Sequence, residues 1–99
     1  MEQKLKGEYD ENGNYKAKIT MSYFAAMDKV GEEFLPLFPA KTKMRAIRML
    51  EDTINDKSTP IGKHPEDYAL YKILEIDMRT GDVIDNKIEK VIEGAEYGK

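Results

Sequence analysis

The chain contains no cysteine, which excludes disulfides, thiolate nucleophiles and Cys-based zinc or iron–sulfur sites. It has a single histidine, His64, and the spacing around it suggests no Ser-His-Asp or Cys-His pairing. One His with scattered carboxylates is also a weak metal signal. No glycine-rich phosphate loop occurs. The expectation is therefore a non-enzyme with no cofactor and no metal. Long apolar runs are missing too. Nothing approaches the ~20 apolar residues that span a bilayer, so no membrane partner is expected. The opening MEQKLKGEYDENG lacks an apolar segment and does not read as a signal peptide, which points to the cytosol of the producing cell. An excess of positive charge is also absent. The net charge of −3 argues against coating nucleic acid by bulk electrostatics and leaves only a local basic patch as an option.

What is present is a folded composition, 40% apolar and 35% charged, in a chain of 99 residues. That is one domain with a modest core. Asn12-Gly13 is a strong type I′ turn dipeptide flanked by Tyr9 and Tyr15, and it predicts a hairpin of 3–9 with 15–20. The neighbouring Asp10-Glu11-Asn12-Gly13-Asn14 lacks the ligand spacing and closing Glu of a calcium loop. Period-two alternation continues over 17–27, with Ala17, Ile19, Met21, Tyr23, Ala25 and Met27 on the expected buried face. Phe24 breaks the pattern from the polar face. Asp28 to Glu32 reads as a turn, and Phe34–Phe38 as a short edge strand limited by Pro36.

Residues 42–55 read as an amphipathic helix with Thr42 as N-cap. Met44, Ala46, Ile47, Leu50 and Ile54 share one face; Lys41, Arg45, Arg48 and Asp52 share the other. A long loop over 56–68 precedes a strand at 71–77, apolar on both parities and so expected to be central. Arg79 to Asp82 turns into a short partner at 83–85. Ile88, Val91 and Ile92 stand at helical spacing and predict a short C-terminal helix over 86–95. The fold class is α+β: an antiparallel or mixed sheet of four to six strands with one main helix on one face.

Two constellations are candidates for nucleic acid. Lys41, Lys43, Arg45 and Arg48, extended by Lys57 and Lys63, form a phosphate-binding stripe or an ordinary solvated face; Asp52 favours the latter. Tyr23, Phe24, Tyr68 and Tyr71 are candidates for base stacking, with Phe24 and Tyr68 expected exposed and the other two in the core. His64-Pro65-Glu66-Asp67-Tyr68 reads as a structural turn anchored by Tyr68 and Leu70.

Residues 45–82 resemble the nonstructural protein from the fifth reading frame of gokushoviruses, which are small single-stranded-DNA phages. The resemblance is carried by Ala46 and Arg48, the Asn55-Asp56 helix end, and His64-Pro65-Glu66-Asp67-Tyr68 with Leu70 and Tyr71. Ile76-Asp77 and the Thr80-Gly81 turn complete it. It spans about 21–85, with 1–20 as an N-terminal extension and 86–99 as a tail. Leu74 stands where the family often has Gly. The resemblance implies a nonstructural phage protein in the cytoplasm of an infected host, proposed to bind single-stranded DNA in replication or packaging. It brings no catalytic residues. The alternative is an adaptor that regulates replication or assembly through other phage proteins. Self-association into a homo-oligomer is expected, because one helix covers only one face of the sheet; the alternative is cover from within the chain, by the C-terminal helix or the N-terminal hairpin.

Overall fold

The computed structural model describes residues 7–9, 15–17 and 19–96. Two short strands, β1 (Gly7–Tyr9) and β2 (Tyr15–Ala17), pair antiparallel with Tyr9 opposite Tyr15. The Asn12-Gly13 turn expected between them lies outside the described residues.

The main sheet has six strands, all antiparallel. Its spine is β3 (Thr20–Asp28) beside β6 (Tyr68–Asp77). Two short strands, β4 (Glu33–Phe34) and β5 (Phe38–Ala40), flank β3 where one edge strand was expected. Leu35 N still donates to the Ala26 carbonyl of β3 at 2.8 Å, but Pro36 has no N–H to donate, so pairing lapses there and resumes at Phe38. The β3–β4 turn is held by Asp28, whose Oδ1 accepts from the backbone N–H of Val30 and of Gly31, each at 3.0 Å.

Helix α1 (Lys43–Asn55) begins where expected, with Thr42 Oγ1 accepting from Arg45 N at 3.1 Å. Ala46, Leu50 and Ile54, spaced by four, form its buried stripe. Met44 was expected on that stripe but is 69% exposed. The long loop folds into α2 (Pro60–Lys63), capped by Thr59 Oγ1, and a 3₁₀ turn (Pro65–Asp67). Asp56 Oδ1 accepts from Ser58 N and Oγ at 3.0 and 2.6 Å, which holds its carboxyl below the usual range.

Strand β7 (Val83–Asp85) pairs with one end of β6 as expected. The tail corrects the sequence reading. It is not a helix: β8 (Glu89–Glu93) pairs with the other end of β6, and a 3₁₀ turn (Gly94–Glu96) follows. The first half of β6 would otherwise have an open edge, and Ile88, Val91 and Ile92 are β-branched residues suited to it. Val91 and Ile92 pack against the core as strand residues.

The alternation along β3 needs a second correction. The face toward both helices carries Phe24 and Ala26, joined by Leu70 of β6, Leu50 and Ile54 of α1, and Ile61 of α2. Phe24 is fully buried and stacks on Phe38, ring centroids 6.1 Å apart. The odd residues expected in the core lie on the opposite face. There, directly paired residues align Met21 with Ile76 and Val83, and Tyr23 with Leu74. Further along, Phe34 meets Tyr71 edge-on at 5.4 Å. β6 carries an extra residue between its partners of Tyr23 and Phe24, so Leu70 and Leu74 sit on opposite faces although both are even-numbered.

Candidate nucleic-acid interface

α1 carries its positive charge at the wrong end for its own stability. Lys43, Arg45 and Arg48 crowd the N-terminal half, no acid occupies the first turn, and no base occupies the last. Acids at the N-terminus and bases at the C-terminus would favour the helix. The reversed order builds a positive pole where side-chain charge and helix dipole add.

A groove of about 620 Å³ opens beside this pole, between α1 and the end of β5. Lys41, Arg45 and Arg48 line it, all exposed, and among the described residues none of them has an ion-pair partner. Asp52 lines it too, as its place on the same helix face predicted. The remaining lining is apolar and comes mainly from Met21, Pro39, Met44 and Met49. Their contribution was missed in the sequence; Met49, a helix methionine outside the expected apolar face, was an available signal.

The other candidate cations are elsewhere. Lys43 Nζ pairs with Glu89 at 2.8 Å, and this contact holds the Glu89 carboxyl below its usual range. Lys57 Nζ donates to the Gly62 carbonyl at 3.0 Å and ties the loop together. Lys63, in α2, is exposed but does not line the groove. The aromatic candidates are corrected outright. Phe24 is fully buried and Tyr68 is 9% exposed, so neither can stack on a base. Burial first, and then the charges of Asp28 and Asp67, push the Tyr68 hydroxyl upward. Tyr23 and Tyr71, expected in the core, are half-buried on the sheet face away from the helices.

The residues that carried the sequence resemblance are mostly scaffold. Ala46 and Leu70 are core, and Pro65 is buried. The Asp67 carbonyl accepts from Lys29 N at 2.9 Å. Asp77 Oδ1 accepts from Arg79 N at 2.8 Å, and Gly81 takes a positive φ of 83° that suits glycine. Arg48 is different: it is exposed and reaches into the groove. His64, Glu66 and Asp67 bring one potential metal-ligand atom each within 4.8 Å of one another. His64 and Glu66 are well exposed, with Nδ1 and Oε2 3.7 Å apart, and the 3₁₀ turn alone accounts for their proximity.

With this geometry in place, the comparisons with known proteins decide the family. The model of the family described as Phage ORF5 protein matches residues 21–97. The chain belongs to that family. The match covers most of the chain, takes in the groove and every strand of the six-stranded sheet except the first residue of β3, and starts after the β1–β2 pair. No curated protein and no solved structure matches. Among the described residues, no helix is long and apolar enough to cross a membrane.

Proposed function

We propose that this phage ORF5 protein is a gokushovirus-type nonstructural accessory protein that binds single-stranded DNA without sequence preference. The setting is genome replication or packaging in the cytoplasm of the infected host. The observation that carries the reading is the groove. Lys41, Arg45 and Arg48 converge on it without ion-pair partners among the described residues, at the positive end of a 13-residue helix. Cations of this kind contact phosphates whatever the bases. The methionine lining offers soft, adaptable apolar contact to bases in place of an aromatic platform. The reading assigns no catalysis and no cofactor. Retention of a labelled single-stranded oligonucleotide at low salt, lost in the double variant Arg45→Glu, Arg48→Glu, is the test.

A second reading, a protein–protein adaptor acting on other phage proteins, draws on the net charge of −3 and on the apolar sheet face turned away from the helices. Failure of the wild-type chain to bind any oligonucleotide at low salt would favour it.

A further inference from the structure

We infer that the sheet face opposite the helices is the contact surface of a two-fold homodimer. An antiparallel sheet with only one covered face normally turns polar side chains outward on the other. This one does not. The row Met21–Ile76–Val83 runs across three strands, Tyr23 and Leu74 form the next row, and Tyr71 continues the apolar surface beyond the bulge. None of the six belongs to the core cluster, and both helices pack on the other side. Val83 is 56% exposed, and the remaining five are half-buried. A contiguous apolar surface of this kind marks an interaction site.

Charge and size point to a second copy as the occupant. At one end of the face Glu93 accepts 2.6 Å bonds from both Lys29 and Lys90, so the charges there are satisfied within the chain. Further along, the directly paired Met21, Tyr23, Leu74 and Ile76 are all uncharged. This stretch calls for no partner of opposite sign and does not repel an identical surface. The sheet is four strands wide. At ~4.8 Å between strands and ~3.4 Å per residue along β3 and β6, its outline is on the order of 600 Å². Side-chain relief brings that close to the ~800 Å² per partner of a stable dimer. Two such sheets stack face to face about a two-fold axis at the usual ~30° between strand directions. The basic groove borders this face at Met21, which lines both, while its cations Arg45 and Arg48 stand on α1, so each dimer would present two basic clusters along its edges. Weak phosphate contacts would then act together on one strand.

The test is sedimentation equilibrium on the full chain without nucleic acid, over about a hundredfold range of concentration. The wild type should move from 11.4 kDa toward twice that mass. Val83→Lys changes a side chain already mostly in water and should keep the far-UV spectrum while weakening association by roughly a hundredfold or more, because it leaves a charge unpaired in the contact. Leu74→Lys should act the same way, and if it fails to fold Val83→Lys decides alone. Glu51→Lys, exposed on α1, places a lysine on the helix side and should leave the dimer intact. A wild type that stays at 11.4 kDa throughout, or a dimer that survives Val83→Lys, would overturn the inference.

Discussion

Lys43 Nζ lies 2.8 Å from the Glu89 carboxylate, linking the first turn of α1 to the start of β8. This contact decides which cations of the helix are available. Arg45 and Arg48 have no ion-pair partner among the described residues, while Lys43 is neutralised by a residue of the tail. Glu89→Gln should release Lys43 and raise oligonucleotide affinity by up to about fivefold, the scale of an exposed ion pair. Lys43→Ala should change affinity far less than Arg48→Ala does. Equal losses from the two variants, read by fluorescence anisotropy, would contradict this division.

The core makes a plain stability prediction. Leu50 is 4% exposed and sits between α1 and the Phe24–Leu70 face of the sheet. Leu50→Ala should cost ~2–5 kcal/mol in urea denaturation, a large share of what a domain of this size has. Met44→Ala, at a mostly exposed position nearly two turns earlier, should stay within ~0.5 kcal/mol. The comparison checks that the buried stripe of α1 runs through Ala46, Leu50 and Ile54 and excludes Met44.

Gly94 is required by a close approach. A Cβ there would collide with the Pro65 carbonyl oxygen and lie 2.8 Å from that of Tyr68. Backbone atoms cannot move aside cheaply, so Gly94→Ala should destabilise by ~1–3 kcal/mol or more. Gly81→Ala meets no neighbour and carries only the strain of positive φ, about 1–2 kcal/mol. Thermal melts of the two variants should rank them in that order.

The helix, the central strand β6 and the β7 turn were legible in the sequence because each is specified locally. Thr42 caps α1, a spacing of four defines its stripe, and Thr80-Gly81 marks the turn. The tail was misread because three β-branched residues at helical spacing also suit a strand, and only the open edge of β6 decides between them. The polarity of β3 was misread because both of its faces are apolar, so alternation alone cannot say which one the helix covers. For the site, the helical wheel placed Lys41, Arg45, Arg48 and Asp52 together. It had no means of showing that Glu89, 46 residues from Lys43 in the chain, would remove that cation, or that Phe24 and Tyr68 would be buried.

The Lys29–Glu93–Lys90 cluster gives a pH dependence. Hydrogen bonds from Lys29 and then Lys90 hold the Glu93 carboxyl below its ordinary value of 4.5. A depressed folded value means that the carboxylate contributes stability above the ordinary value and loses it as the pH falls through the lower, folded one. The gap in urea midpoint between wild type and Glu93→Gln should be constant above that range and close as the solution is acidified. A gap that widens on acidification would contradict the assignment.

The groove stands or falls on the salt dependence of oligonucleotide binding. Three cations neutralising three phosphates of a single strand predict a slope of log K against log salt near −2, from ~0.7 per phosphate. Arg45→Glu, Arg48→Glu reverses two exposed charges, should leave the fold intact by circular dichroism, and should abolish binding at low salt. A wild-type slope near −2 with binding lost in the double variant is the expected result. Wild-type binding that the double variant retains, or no wild-type binding at low salt, would contradict the assignment of DNA to this groove.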